Sequence, residues 1–438
     1  MLAEVPDLWD VNISSWENDS ATSRFKKSGY QEQFVRFVKQ VTSKPVVIVG
    51  RYTSPDAMAD LVKDGVTDFI GAARPSIADP FLPRKIEEGR ADDIRECIGC
   101  NMCVSGDNHF VPIRCTQNPT MGEEWRRGWH PEFVSTADEA KRVLIVGGGP
   151  AGLECARVLG LAGHNVALAE AGNELGGRLL GEGSLPGLNE WKRVVDYRKY
   201  QISKLDKVEV FLGSEMTAES IEEFAADHTV IATGSRWSLT GRGRENLRGI
   251  AIDKDATLLT PEAIMSSKTD PRRIVVFDDD HFYMGGALAE KLALEGCSVV
   301  LVTPATEVSS WTHNTLDQHF IQARLMELGV QLELSQNLRS VGAKGVELAC
   351  GYTDQSKEIA CDATVLVTMR EPKDDLFQVL QEKLGSSVSL IGDAHAPSTI
   401  AAAVYAGHLA GKTLGQGTDK QLDFKREHIA LAADWPGA

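Results

Sequence analysis

The sequence contains no apolar run of about 18 residues, so a membrane-spanning helix is excluded at the level of pattern. Its start, Met1-Leu-Ala-Glu-Val-Pro-Asp, has neither a basic n-region nor an apolar core, and no secretory signal is expected. Positive charge is in short supply: 46 Lys and Arg stand against 62 Asp and Glu, a net −16 at pH 7. That balance argues against nucleic acid or an anionic membrane as partner. Low-complexity tracts are missing, and internal repetition is limited to two strand–turn–helix units, at 142 and 273. Cysteine is sparse, eight in 438 residues, and four of the eight fall between Cys97 and Cys115. This is no disulfide framework and fits a reducing cytosol, so a cytoplasmic location is expected. Cys155, Cys297, Cys350 and Cys361 are scattered, as small buried apolar residues would be.

What is present alternates between strand and helix patterns. Asp7–Ile13 reads as a short strand and Tyr30–Val41 as a helix. Pro45–Gly50 is a continuous apolar run suited to a doubly buried parallel strand. Pro55–Asp64 reads as a helix and Val66–Gly71 as the next strand. Residues 97–140 have little periodicity and read as a connecting segment wrapped over its neighbours. From Arg142 an α/β pattern resumes, with a second such unit from Arg273 and a final strand and helix from Ser389 to about Leu409. The domains expected are 1–96, 97–140, 141–270 joined by 366–415, an inserted 271–365, and a polar tail 416–438.

Cys97-x2-Cys100-x2-Cys103-x11-Cys115 is the strongest chemical signal. Three cysteines at this spacing wrap one face of a compact cluster and a fourth arrives from a nearby loop, the ligand pattern of a 4Fe-4S cluster. A structural zinc site, which groups its cysteines as two CxxC pairs, and four free thiols are the alternatives.

Val143–Gly152 places GxGxxG between a strand and a helix. Gly147 allows the tight turn, Gly149 lets the backbone approach a pyrophosphate, and Gly152 closes the packing. Glu170 ends the following strand, where an acid accepts ribose hydroxyls. Ala232-Thr233-Gly234 and Gly392-Asp393 each end a later strand on a small turn, and Asp393 could reach the ribityl or ribose part of FAD. FAD or its ADP portion is the expected ligand. In the unit at 273, Asp278, Asp279, Asp280, His281, Phe282 and Tyr283 stand where glycines should. Such a turn repels a pyrophosphate, so no NAD(P)H is expected there. An exposed, solvated turn is preferred to a metal site for this acidic run.

Near the N-terminus, one apolar strand ends at Gly50-Arg51 and the next at Gly71-Ala72-Ala73-Arg74. Small residues with two guanidinium groups suit the phosphate position of a TIM barrel's last loops. A full barrel needs about 250 residues, so residues 1–96 are read as its last three units. Arg51 and Arg74 as ion-pair residues are the plainer alternative.

Together, VGRYTSP (49–55), GAARPSIADPFLP (71–83), RECIGCNMC (95–103), CTQN (115–118), GEEWRRGWHPE (122–132) and VLIVGGGPAG (143–152) resemble the trimethylamine dehydrogenase family. This family of iron–sulfur flavoproteins includes dimethylamine and histamine dehydrogenases and is related to 2,4-dienoyl-CoA reductase. The resemblance runs from about residue 7 to beyond 410. It implies an α/β fold: the C-terminal part of a TIM (β/α)8 barrel, a 4Fe-4S segment, then two Rossmann-like units of the FAD/NAD-linked reductase type. It also implies oxidative N-demethylation of a methylated amine or N-methyl amino acid at FMN. RCTQNPTMGEEWR (114–126) resembles the N-methyl amino acid branch. Electrons would pass through the cluster to an electron-transferring flavoprotein. By the same resemblance, Arg74 would bind the FMN phosphate with Arg51 and Gly71–Ala73 nearby. The four cysteines would hold the cluster, Trp16 would wall the substrate pocket, and Asp19 would orient the amine. The family's first five barrel strands are missing, so only a partial FMN site is expected. An oligomer, or a partner chain carrying the rest of the barrel, is expected with it. A non-catalytic electron-transfer subunit and an enoyl-thioester reductase are the other readings.

Overall fold

Val46–Val49, four β-branched residues between Pro45 and Gly50, form the middle strand of a small parallel sheet. Trp9–Val11 pairs on one side of it and Phe69–Gly71 on the other, in chain order. Ser54 caps the helix Pro55–Lys63 by accepting the Ala57 N–H, and Pro55 opens that helix. Val35, Val46, Ile48, Tyr52, Leu61 and Val66 form the local core. These are three strand–helix units, as the pattern predicts. The expected helix over 30–41 is instead two single turns, Glu32–Val35 and Val38–Val41. Arg36 and Phe37 between them keep helical angles, so only the hydrogen bonding lapses. This computed structural model describes residues 2–414 apart from Ser14 and Pro271; the predicted tail 416–438 lies outside the described residues.

The next strands build two sheets of one design. Arg142–Val146 pairs in parallel with Asn165–Ala169 on one side and His228–Ile231 on the other. Val208–Phe211 and Val388–Leu390 complete five strands. The second sheet centres on Arg273–Asp278, flanked by Ser298–Thr303 and Ala363–Val367, with Gln331–Leu334 and Leu258–Leu259 outermost. A four-stranded sheet of Gln336–Gly342, Gly345–Cys350, Ser356–Ala360 and Ala251–Ile252 covers the second unit. One continuous apolar core runs through both units and reaches Ile98 in the cysteine loop.

Helix Ile400–Thr413 lies against helix Pro150–Leu161 almost backbone to backbone. A Cβ at Gly407 would sit 2.1 Å from the Ala151 carbonyl oxygen, so only glycine permits this approach. The segment after the cysteine loop wraps these helices. Its Glu123, fully buried, binds Arg114 at 2.6 Å, Arg126 at 2.7 Å and Arg127 at 3.0 Å. Burial alone would raise that carboxyl, but the Arg126 hydrogen bond and the three charges outweigh it and hold it below the ordinary value.

Candidate functional site

Cys97, Cys100, Cys103 and Cys115 all line one small cavity, together with Arg74, Asn101 and Thr116. Among the described residues no group of three His, Cys, Asp or Glu side chains could hold a single metal ion. The loop bends through Gly99 at φ +61° and Asn101 at φ +54°. Gly99 N–H donates to Cys97 Sγ at 3.4 Å, and the Cys100 Sγ and Thr116 Oγ1 lie 3.2 Å apart. Burial, then the mutual repulsion of the cysteines, pushes the Cys103 thiol up to about 12 and Cys115 above its ordinary value. Thiols raised in this way, Cys100, Cys103 and Cys115, ionise more readily with a cation among them. This donor set fits an iron–sulfur cluster, whose Cys97, Cys100, Cys103 and Cys115 would be the ligands.

The cysteine loop is tied on three sides. Ser23 N–H donates to the Gly99 carbonyl at 3.0 Å and Ser23 Oγ to the Ile98 carbonyl at 2.7 Å. Arg74 Nη1 donates to the Ser20 and Ala21 carbonyls and to Asn101 Oδ1 at 2.8 Å. On the nucleotide side, Gln117 connects to Arg198, which is paired with Glu154 at 2.8 Å. Glu154 is fully buried and also holds Arg157 at 2.6 Å and His408 at 2.9 Å. Burial opposes this carboxylate, but Arg157 and Arg198 hold it well below its ordinary range. The amphipathic pattern gives no sign of this network, because its members lie on helices read as simply packed.

A cleft of about 810 Å³ opens at the glycine turn, a volume suited to a nucleotide. Gly147, Gly149, Glu170, Ala232, Thr233, Gly234 and Asp393 line it, so most of the predicted nucleotide residues converge. Gly152 and Gly392 stand behind its wall. Gly147 has φ +109°, and a Cβ there would lie 2.4 Å from the Ala232 carbonyl oxygen. At Gly152 a Cβ would lie 1.9 Å from the Gly147 carbonyl oxygen, whereas at Gly149 it would meet nothing within 4 Å. Gly149 is therefore the open face where a diphosphate can approach the helix N-terminus. Glu170 is held in place by the Gly148 and Gly172 N–H groups, each at 2.7 Å. Asp393 is ion-paired with Arg178 at 3.0 Å and accepts from Arg370 at 2.5 Å, Ser235 Oγ at 3.0 Å and the Ser398 N–H at 3.0 Å. Sequence reasoning missed Arg178, although a cation directly after Gly176-Gly177 and beside a diphosphate turn was a readable signal.

In the second unit the acidic turn is buried, which corrects the expectation of a solvated one. Asp278 and Asp279 are wholly inaccessible. Asp278 Oδ1 accepts the N–H groups of Asp280 and His281 at 3.2 and 3.0 Å, and its Oδ2 has no partner. Its carboxyl fills the space beside Gly285, where an added Cβ would meet it at 2.4 Å. The turn's own side chain thus takes the anion position between strand and helix. Burial, then the charge of Asp280, pushes the Asp278 carboxyl up to about 7.

On the barrel side, Trp16 and Asp19 share the one-turn helix Trp16–Asp19, and Trp16 is about half exposed at 47%. Gln31 Nε2 donates to Asp19 Oδ1 at 2.8 Å, another contact the sequence did not announce. Arg51 is left-handed at φ +56° and buried, and its guanidinium meets Glu190 at 2.7 Å and the Lys26 carbonyl at 2.9 Å. Arg51 and Arg74 are thus engaged with protein acceptors and do not converge on one anion. Gly71 ends its strand, and Ala72 and Ala73 lead into the short helix Ala73–Ala78.

Comparison with known proteins accounts for this arrangement. Residues 141–407 match the pyridine nucleotide-disulphide oxidoreductase family. The chain belongs to that family. Residues 1–93 match the NADH:flavin oxidoreductase / NADH oxidase family, in keeping with the barrel reading. Dimethylamine dehydrogenase of Hyphomicrobium sp. (strain x) is 40% identical over 97% of this chain and 63% of its own length. The structure of histamine dehydrogenase from Rhizobium sp. 4-9 is 48% identical, with a TM-score of 0.95 over 98% of this chain and 64% of that one. N,N-dimethylglycine/sarcosine dehydrogenase of Chromohalobacter salexigens is 27% identical over 79% of this chain and 50% of its own length. These likenesses bear out the resemblance to the trimethylamine dehydrogenase family. The chain spans less than two thirds of the length of each of these relatives.

Proposed function

We propose that this chain is the cluster- and nucleotide-bearing part of an oxidoreductase that demethylates a small methylated amine. The observation that carries the reading is the small cavity that all four cysteines line. It is wedged between the barrel piece, through Arg74 and Ser23, and the nucleotide helix, through Gln117 and Glu154. When bound, FMN supplies the two-electron oxidation of the amine, and the cluster carries single electrons outward to an electron-transferring flavoprotein or similar acceptor. This chain's own residues give Trp16 as an aromatic wall for a cationic substrate and Asp19, steadied by Gln31, as the carboxylate that orients it. The Gly71–Ala73 backbone is what it offers towards the FMN phosphate, joined by Arg74 where that guanidinium exchanges its contacts to Ser20, Ala21 and Asn101 for the anion. Greater identity to a dimethylamine dehydrogenase than to a dimethylglycine/sarcosine dehydrogenase favours a simple amine over an N-methyl amino acid.

The nucleotide we propose is ADP rather than FAD. Asp393 Oδ2 is shared by Arg178, Arg370 and Ser235 and its Oδ1 accepts the Ser398 N–H, so a ribityl chain would compete with partners already in place. Arg178 and Arg370 also line a further cavity of about 330 Å³ beyond the cleft. A flavin ring passing between the two would have to part these ion pairs. Anaerobic purification with iron, sulfide, FMN, FAD and ADP counted per chain tests the reading. Four irons with one ADP are expected; zinc in place of iron, or no metal, overturns the cluster, and one FAD overturns ADP.

A second reading, a non-catalytic electron-transfer subunit whose partner supplies the remaining barrel, is favoured by the three-stranded sheet. Among the described residues Trp9–Val11 and Phe69–Gly71 each pair on one side only. Amine-dependent dye reduction by the chain alone separates the two. An enoyl-thioester reductase is disfavoured because Asp278 fills the second unit's anion position.

A further inference from the structure

One short loop of the second unit holds the cysteine-bearing region at two points and the barrel piece at a third. The Asn314 carbonyl accepts from Asn108 Nδ2 at 3.1 Å, at the end of the helix Met102–Asn108 that carries Cys103. The Thr315 carbonyl accepts from Asn101 Nδ2 at 3.0 Å, within the cysteine loop itself. Asp317 Oδ1 accepts from Thr22 Oγ1 at 2.5 Å, in the strap that leads from Asp19. Asn101 is 1% exposed and joins all the parts. Besides Thr315, its amide nitrogen donates to the Ser20 carbonyl at 2.5 Å, and its Oδ1 accepts from Arg74. Nearby, Arg24 pairs with Glu290 at 2.9 Å and Phe25 stacks on Phe320.

The clasping loop is itself set firmly. Leu316 is held left-handed at φ +63°, a conformation a branched side chain adopts only when its surroundings impose it. Its root, the Trp311 N–H, donates to the His281 carbonyl at 3.0 Å. His281 belongs to the turn that Asp278 fills. The turn that in a nucleotide-binding unit would grip a dinucleotide here anchors the clasp.

We infer that the second unit works as a clamp that fixes the cysteine loop against the barrel piece, with Asn101 as its positioning residue. The inference deepens the proposed function and rests on its cluster reading. An amide that binds Arg74, Ser20 and Thr315 while standing between Cys100 and Cys103 sets where those thiolates point. Hydrogen bonding and orientation around the ligands tune such a cluster.

Glycine accepts φ +54° without strain, so Asn101→Gly removes the amide alone and leaves the loop's backbone preference intact. The full chain, purified anaerobically, is examined by hydrogen exchange over 19–24 and 311–318, by electron paramagnetic resonance and by potentiometry. The variant is expected to exchange about tenfold faster in both segments, the loss of roughly one buried hydrogen-bond set. Its circular dichroism should match the parent's, while the cluster spectrum and midpoint potential change. Thr22→Val, outside the cysteine loop, should speed the same segments and stands in where Asn101→Gly does not fold. Parental exchange in both segments overturns the clamp, and faster exchange with an unmoved potential overturns the positioning role of Asn101. A parent chain without iron overturns the cluster reading instead, and the exchange data still judge the clamp.

Discussion

The two five-stranded units share the order of four strands, take their fifth from opposite ends of the chain order, and differ in what occupies the turn after the central strand. In the unit at 142 that turn is Gly147-Gly148-Gly149, and Gly149 faces open space. In the unit at 273 the same place is filled by the Asp278 carboxyl, held by two backbone N–H groups. The second strands differ in kind as well. Glu170 follows the first unit's, whereas Thr303, without an acid, ends the second unit's. The same scaffold therefore accommodates an open turn in one unit and a turn filled by its own carboxylate in the other. A handful of residues decides whether the helix N-terminus serves a nucleotide from outside or a carboxylate from within.

The sharpest way to break this comparison is at the glycines. Gly152→Ala places a Cβ against the Gly147 carbonyl, and a loss of about 3–5 kcal/mol in stability is expected, beyond ordinary overpacking. Gly149→Ala, with nothing in its way, should keep the parent's melting temperature yet weaken ADP binding about tenfold or more by blocking the diphosphate. Denaturant melts and calorimetric titration with ADP check both; equal effects of the two substitutions would undo the distinction drawn here.

The next largest effect lies in the second unit. The Asp278 carboxyl is raised from 3.8 to about 7, so between those values the folded state binds more protons than the unfolded one. Stability therefore falls as pH rises through that window. Asp278→Asn should flatten the slope, leaving the part contributed by the likewise raised Asp317 and Asp280, and stabilise the chain at pH 8 by about 2–4 kcal/mol. Melts from pH 4 to 8 in which both proteins keep the same slope would show that Asp278 is not the source. The smallest effect is at Glu170. Glu170→Gln keeps one of the two N–H contacts and loses the other, with ADP affinity reduced by about 1–2 kcal/mol. Unchanged affinity by titration would remove Glu170 from the ribose site.

The parts of the fold that lie close in sequence could be read directly. Val143–Gly152 with Glu170, the cysteine spacing, and the β-branched run at Val46–Val49 each carry their own local reason for the structure they form. What could not be read depends on distant partners. Arg51 ends a strand as a phosphate residue would, yet Glu190, from the next domain, takes its guanidinium. The acidic run 278–280 looks like a solvated turn by composition, and only packing against Gly285 and Glu245 reveals it as an interior feature. Asn101 is an unremarkable residue between two cysteines until Arg74, Ser20 and Thr315 are brought to it. The N-methyl amino acid branch suggested by residues 114–126 rests on one short stretch, whereas the family resemblance rests on motifs spread over the chain.

The contact of Gly407 with Ala151 also has a consequence for how the chain assembles. The nucleotide unit's first helix waits for a partner helix encoded some 250 residues later, and its sheet waits for Val388–Leu390. During synthesis the central strands of the second unit, Arg273 to Val367, emerge before either. Domains fold as they are completed on the ribosome, and late pairings between distant segments close slowly. The unit whose turn is filled by Asp278 is therefore the first finished surface, and the glycine-lined cleft of the other unit is completed last, around it.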